Sequence, residues 1–529
     1  MRKVGLAAAV IVVLLGVVGY GLAVYGPPEI RTAINKVVQL VVPQADPRAA
    51  LDEQIRQLPP GYTASYKTAT FDVVSDTLTV GGVAVHTPDG MDVSADEIAV
   101  IHPSKSFDAD WAQAKANPAQ FPPDKAVSLA GAISVSGAKL HVQKYDSSIA
   151  SMRIEGVRLY PWALLHPGVP SYSEAMAKVL AAGPQPKPED LEPVLRVQSS
   201  WLLGVGYDHY VAETVHVSGT TQAGTELVAI VYDVTKMEGM GMDRGVGVAG
   251  TGEGITASIG DKGVFAADRV GFGGINLRKP MTQVLENQTL TPEMLDGLAL
   301  DKVEYVGMKF TPAGATAIPI GTLMISKIAF TGSVPVSGDV TFGGLKLARS
   351  QLIDPKTQEV YDKLGIESMT ISFGLSYRWD LDKKRVTVSD LRYKVDELGA
   401  LNVSVDLAEM TPSLAGAMGG QLAHAVARYD DSSGVERAFK IAAEEQQADP
   451  AAFRDQIIQM VGAQAQGMGD SPEITAAGKA LVAFLQAPKN LTVELAPAQP
   501  VPFTTIDALK TMQPPEAAQL LGLKVTANQ

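Results

Sequence analysis

A short pattern that recurs along the chain most constrains its fold: apolar, any, apolar, any, glycine, apolar, any, apolar. Its first copy runs from Leu78 to Val85. Strict alternation is typical of a half-buried strand, because successive side chains point to opposite faces of a sheet. The alternation slips by one residue at the glycine, and a β-bulge there would return both apolar pairs to one face. The pattern therefore predicts bent or strongly twisted strands.

The bulge positions predicted in this way share one place in the pattern, which two variants fill with aspartate or lysine instead of glycine. They are Gly82, Gly137, Gly156, Gly274, Gly307, Gly344 and Asp390, with Lys327 in the remaining variant. Their spacing is irregular, which argues against a solenoid of fixed period and fits a long curved sheet with insertions.

The predicted fold class is α+β: an N-terminal transmembrane helix, a long twisted antiparallel β-sheet with helical insertions, and a helical C-terminal subdomain. In that subdomain, Asp449 followed by Pro450, and Ser471 followed by Pro472, are typical helix starts. The predicted domains are a transmembrane signal-anchor at 1–25, a juxtamembrane helix and linker at 26–59, a β-rich periplasmic body at 60–410, a helical subdomain at 411–489, and a final strand and helix at 490–529.

The N-terminus carries the localisation prediction. Arg2 and Lys3 precede an uncharged run from Val4 to Tyr25, which as a helix would extend about 33 Å and match the bilayer core. The positive charges lie before the run, so the chain would enter the bacterial inner membrane with its bulk in the periplasm. The alternative is a cleaved signal peptide, for which Gly21 to Ala23 is the nearest cleavage candidate.

Composition excludes several function classes. The net charge of −13 opposes binding to a nucleic-acid backbone, so no nucleic-acid partner is predicted. There is no cysteine, which excludes disulfides and thiolate chemistry, and no two of the seven histidines form a zinc-binding pair in the sequence. We therefore predict no catalytic residue, no cofactor and no metal site.

Two motifs resemble known sites without their context. Gly245, Gly247 and Gly250 match a dinucleotide-binding fingerprint, but a strand-like segment follows where that motif requires a helix, so we predict a glycine-rich loop. Ser136 and Lys139 spell a hydrolase motif inside a predicted strand, where it would not function.

Basic residues between the second pair of apolar positions would line one face of the sheet. They either keep that face soluble or bind anionic lipid headgroups. They are Lys139, Arg158, Lys309, Lys346 and Arg392.

A single anchor, a cysteine-free body and strands such as Leu78 to Val85, followed by Pro88 to Gly90 and Val93 to Ile98, resemble the AsmA-like bacterial envelope proteins over the first three quarters of the chain. The resemblance implies a curved sheet with an apolar inner groove, used for lipid movement or outer-membrane assembly. The chain departs from that family in its shortness, helical insertions and helical tail, so a groove spanning the whole periplasm is not implied.

Together these features predict a non-enzymatic, membrane-anchored periplasmic protein that binds lipid or another apolar ligand, or assists envelope assembly. The expected partners are the membrane, lipid and other envelope proteins. The alternative is a membrane-anchored scaffold that docks partner proteins through its helical C-terminal region. An enzyme would require a polar cleft whose residues lie far apart in sequence.

Overall fold

The computed structural model divides the chain into two compact units. Unit 1 comprises Met1–Val303 with Thr331–Ser333, and unit 2 comprises Glu304–Phe330 with Val334–Gln529. The structure describes residues 47–56, 58, 60–86, 90–118, 121–142, 145–170, 175, 178, 187–223, 226–261, 263–286, 295–352, 354–412, 419–467 and 471–529.

The predicted fold class is wrong. Large antiparallel β-sheet dominates the described residues, with 52% of them in strands and 29% in helices, rather than an α+β arrangement. Among the residues that the structure describes, no helix combines the length and apolar character needed to cross a bilayer. The predicted transmembrane segment 1–25 lies outside the described residues, as does the juxtamembrane segment up to residue 46. The prediction of a β-rich body is confirmed.

Unit 1 is built on a meander of long strands. Strand β3 pairs with β1, β2 and β4, and from β4 to β10 each strand pairs antiparallel with the next. The strands are β1 (Thr63–Ser65), β2 (Thr68–Asp72), β3 (Thr77–His86), β4 (Met91–Pro103), β5 (Val127–Val142), β6 (Tyr145–Leu159), β7 (Val205–Ala223), β8 (Glu226–Asp243), β9 (Val246–Ile259) and β10 (Gly263–Asn276).

Short helices cover part of the apolar face of unit 1. They are α1 (Pro47–Arg56), α2 (Phe107–Ala116), α3 (Pro161–Leu164), α4 (Pro188–Gly204) and α5 (Arg278–Glu286). Phe107 and Trp111 of α2 stack at 5.8 Å and are fully buried, as are Leu129 and Ile133 of β5. Burial of side chains of this size stabilises the unit by about 1.5–3 kcal/mol each.

Two rows of left-handed residues cross the unit 1 sheet. In each row, every second strand carries a residue with positive φ, and the strand between places an ordinary residue opposite it. The first row runs from β3 to β10 through Gly82, Asp96, Gly137, Ala150, Thr214, Thr235, Gly254 and Asp268. The second, parallel row runs from β4 to β10 through His102, Gly131, Gly156, Asp208, Gly241, Val248 and Gly274.

The rows explain how broken alternation still buries a single face. On β5, Val135 and Ala138 flank Gly137 at a spacing that would place them on opposite faces of a plain strand, yet both are buried. On β6, Ile154 and Val157 flank Gly156 in the same way. Each row therefore absorbs one residue per strand and keeps the apolar side chains on the core side.

Unit 2 continues the antiparallel architecture. Its pairings run in sequence from β13 to β18, with β17 also pairing with β19, and β18 with β20. Strands β11 (Ala299–Pro312) and β12 (Ile318–Thr331) precede β13 (Val334–Ala348), β14 (Ser368–Asp380), β15 (Arg385–Val395), β16 (Gly399–Ala408), β17 (Gln421–Asp431), β18 (Asn490–Leu495), β19 (Val501–Pro502) and β20 (Leu523–Ala527).

The helices of unit 2 are α6 (Pro355–Leu364), α7 (Gly434–Glu445), α8 (Pro450–Gly467), α9 (Pro472–Gln486), α10 (Phe503–Ala508) and α11 (Pro514–Leu521). Both predicted helix starts are confirmed. The Asp449 carboxylate accepts hydrogen bonds from the backbone N–H groups of Ala451 and Ala452 at 3.0 Å, and the Ser471 hydroxyl accepts from Ile474 at 3.5 Å. These bonds satisfy donors that a helix start leaves open.

The predicted bulge positions fall into two kinds. In the strand pairs that contain Gly82, Gly137, Gly156 and Gly274, the register continues past the glycine. The neighbouring strand places one residue opposite each glycine, so neither strand gains a residue on the other. In unit 2 the register shifts by one residue beside Gly344, and again beside Asp390, as it does in a β-bulge. Gly307 has a φ of +65°.

We expect Gly137→Ala to lower the free energy of unfolding by about 1–3 kcal/mol, because alanine resists the left-handed φ of +59° and its Cβ would collide with the Asp96 carboxylate. Urea denaturation measures the loss. The matched control is Gly273→Ala, which has ordinary φ and whose nearest neighbour would lie 3.7 Å away. Equal stability of the two variants would contradict the role of the row.

Candidate functional site

One face of the unit 2 sheet is apolar across five strands. Side chains that are direct cross-strand neighbours form a continuous row from β13 to β17. The row is Phe342, Phe373, Tyr393, Leu401 and Tyr429. With strands 4.7–4.9 Å apart, four strand spacings make the row about 19 Å wide.

Part of this face is open to solvent. Leu391, Tyr393 and Leu401 are 36%, 50% and 42% exposed, and Phe342 and Phe373 are only half-buried. In unit 1 the corresponding face of β5 is buried to the point that Leu129 and Ile133 are inaccessible. We call Phe342, Phe373, Leu391, Tyr393 and Leu401 the apolar strip.

Helix α9 covers the apolar face at β17, next to the apolar strip. The ring of Phe484 in α9 packs edge-on against Tyr429 at 6.1 Å, so α9 lies on the apolar face of β17. The single proton of the Tyr429 hydroxyl is shared between two acceptors, the Asp431 carboxylate at 2.9 Å and the Leu398 carbonyl at 3.1 Å. Burial and the nearby Asp431 charge raise the pKa of Tyr429, so it stays neutral at physiological pH. Leu401, one strand away, is already exposed.

The opposite face of the same strands is polar. Arg392 donates to Asn402 at 3.1 Å, and Arg428 donates to Asp430 at 2.8 Å. Asn402 also donates to Asp430 at 3.4 Å. The strands therefore separate a hydrogen-bonded charged face from an apolar one, and Arg392, one of the predicted row of cations, belongs to the charged face.

A second cluster in unit 1 gathers three arginines around one carboxylate. Asp243, at the end of β8, accepts a hydrogen bond from the Tyr160 hydroxyl and contacts Arg278 at 3.2 Å, Arg244 at 3.5 Å and Arg158 at 3.7 Å. The Arg244 guanidinium also lies over the Tyr160 ring, 5.4 Å from its centre. Strands β6 and β8, and the start of α5, meet here.

Electrostatics favour the ionised form of Asp243. Partial burial opposes ionisation, but the Tyr160 hydrogen bond and the guanidinium groups of Arg244, Arg158 and Arg278 outweigh it and hold the pKa of Asp243 below its usual value. Each arginine of the cluster contacts the Asp243 carboxylate. The cluster therefore links the ends of β6 and β8 to the start of α5.

The predicted glycine-rich loop is wrong, because Gly247 and Gly250 lie within strand β9. The Phe272 ring occupies the space that a side chain at Gly250 would need, and the Tyr210 ring does the same over Gly239 of the adjacent β8. Burial raises the pKa of Tyr210. These glycines accommodate aromatic rings from neighbouring strands, a contact that sequence spacing does not reveal.

Six of the seven histidines pair with carboxylates, and the sequence did not predict these pairs because the pairing of strands brings the partners together. Within the described residues, no group of three or more histidine, aspartate or glutamate side chains could hold a metal ion. The pairs are His86–Asp92, His102–Asp76, His141–Asp146, His209–Glu238, His216–Asp233 and His424–Glu494, at 2.6–3.6 Å.

Comparison with known proteins adds one partial match. A family model described as an uncharacterised protein matches residues 392–528, from within β15 to the end of β20. No curated protein and no solved structure matches the chain. The matched segment includes Tyr393 and Leu401 of the apolar strip, and the description assigns it no activity. The resemblance to AsmA-like proteins stays a prediction.

We expect Asp243→Asn to lower the free energy of unfolding by about 1–2 kcal/mol near neutral pH, because three guanidinium groups lose their shared counter-ion. Since the pKa of Asp243 is lowered in the folded state, its contribution is present above about pH 4 and is lost as the pH falls through the folded-state value. Denaturant unfolding at several pH values measures both effects.

The control is Asp208→Asn, which removes an exposed carboxylate that contacts only Arg158 of this cluster, at 2.6 Å. We expect a smaller loss that changes less with pH. If both variants lose the same stability at every pH, Asp243 is not the centre of the cluster.

Proposed function

We propose that the protein binds lipid, or another ligand with a long hydrocarbon chain, on the apolar strip of unit 2. The observation that carries the proposal is the exposure of Leu391, Tyr393 and Leu401 within a continuous apolar face. Isolated exposed apolar residues are normal on protein surfaces, whereas contiguous ones mark interaction sites.

The dimensions favour a chain-like ligand. The open part of the row, from Phe342 on β13 to Leu401 on β16, spans three strand spacings, about 14 Å, and accommodates a segment of an extended acyl chain. Transfer of apolar surface from water contributes about 25 cal/mol per Å², so a chain lying along half-exposed aromatic and leucine side chains gains free energy without directional contacts. Such a site selects hydrocarbon and discriminates little among headgroups.

The role needs no chemical step, so the proposed function is non-enzymatic. Assistance to envelope assembly and a periplasmic location stay predictions that fit a lipid-binding body. The alternative scaffold role also stays a prediction.

We expect the double variant Tyr393→Ser with Leu401→Ser to bind the fluorescent fatty acid cis-parinaric acid at least about tenfold more weakly than the unaltered protein, because each serine removes apolar contact area. Titration followed by fluorescence gives the dissociation constant. Arg392→Ser with Asn402→Ser is the matched control, since these residues adjoin the same positions on the polar face.

The control is expected to bind the probe as the unaltered protein does. Loss of binding in both variants would show that the sheet, rather than the strip, was disturbed. Unchanged binding in the Tyr393 and Leu401 variant, or no binding by the unaltered protein, would refute the proposal.

A further inference from the structure

The turn between β2 and β3 exposes two adjacent valines. Val73 is 80% exposed and Val74 is 98% exposed, the two highest values among the large apolar side chains that the structure describes. We call Val73 and Val74 the valine tip. Other strongly exposed apolar residues of unit 1, such as Met240 and Val248, lie within paired strands.

The valine tip is held in one conformation by its own polar groups. Asp72 accepts hydrogen bonds from the Val74 backbone N–H at 2.9 Å and from the Ser75 hydroxyl at 2.8 Å. Thr77 donates to the Ser75 carbonyl at 3.0 Å. The His102 N–H donates to the Asp76 carbonyl at 2.9 Å, which ties the turn to β4.

These bonds suit the tip to an apolar environment. A backbone or hydroxyl group moved out of water costs free energy unless it keeps a partner. At this turn the Val74 N–H, the Ser75 hydroxyl and carbonyl, and the Asp76 carbonyl all have partners within the protein. The two valines can therefore leave water without stripping these groups of their hydrogen bonds.

The size of the tip favours a bilayer over a protein partner. A stable protein interface buries about 800 Å² on each side, far more than two valine side chains supply. Binding at a lipid interface scales with the apolar area that enters it and has no minimum matching surface, so two valine side chains can make a weak, reversible contact there.

We propose that the valine tip inserts into the interfacial region of a lipid bilayer. The inference rests on the proposed function, because a protein that takes up lipid must touch the membrane that holds it. Asp72 and Asp76 flank the tip, so a bilayer of zwitterionic lipid is favoured over an anionic one.

The absence of cysteine makes a site-specific test straightforward. Val74→Cys in the full chain is labelled with the environment-sensitive fluorophore NBD and mixed with phosphatidylcholine vesicles. We expect a several-fold rise in fluorescence, a blue shift, and quenching by spin-labelled lipid. The matched control is Val248→Cys, a 63% exposed valine on β9, whose label is expected to stay in water.

A second variant removes the concern that the label itself inserts. Val73→Ser with Val74→Ser changes only exposed side chains, so its melting temperature is expected to stay unchanged. The fraction of this unlabelled variant that sediments with phosphatidylcholine vesicles is expected to be several-fold smaller than that of the unaltered protein. Met240→Ser with Val248→Ser, which also removes two exposed apolar side chains, is the control and is expected to sediment as the unaltered protein does.

Each outcome decides the proposal. A label at position 74 that stays in water with vesicles overturns it, as does unchanged sedimentation of the Val73 and Val74 variant. A label that is shielded only when the protein concentration rises would overturn it in favour of a protein contact. Failure of cis-parinaric acid binding, together with an inserted label, would refute the apolar strip alone.

Discussion

The structure depends on a steric constraint that passes from strand to strand. A residue in a left-handed conformation shifts the side-chain alternation of its own strand by one position. The neighbouring strand stays in register only if it places one residue of its own opposite the left-handed one. In unit 1 this match extends from β3 to β10 in the first row, with Gly82 and Gly137 on either side of Asp96. On β5 and β6, the apolar side chains before and after the left-handed residue are therefore buried on the same face.

The two units use their apolar faces differently. In unit 1 the helices α2 to α5 accompany a core in which Phe107, Trp111 and Leu285 are inaccessible. In unit 2 the side chain of Phe484 reaches Tyr429, while Leu401 on the next strand is exposed. The same type of strand thus makes a packed core in one unit and an open apolar strip in the other. The difference lies in what covers the sheet.

Much of the β-structure could be predicted from local sequence, because the period of alternation is a property of a single strand. The segments around Gly82, Gly156 and Gly344 all lie in strands. The glycine-rich segment around Gly250 was predicted wrongly as a loop, because its glycines make room for rings such as that of Phe272 and its strand conformation comes from pairing with β8 and β10. The α+β fold class was wrong because strands dominate the described residues, and one of them, β17 (Gln421–Asp431), lies within the segment 411–489 that was predicted as a helical subdomain.

The sequence by itself determined the strands that carry the alternating pattern, such as those around Gly82 and Gly156, and the glycines at which their alternation breaks, since both follow from the order of apolar residues and glycines. It also determined the two helix starts at Asp449 and Ser471, whose hydrogen bonds are local. Only the tertiary structure decided that left-handed residues align in rows, that Asp243 gathers three arginines, and that Tyr393 and Leu401 stay exposed. Those features depend on neighbours far apart in the chain, whose register and cover no single segment encodes.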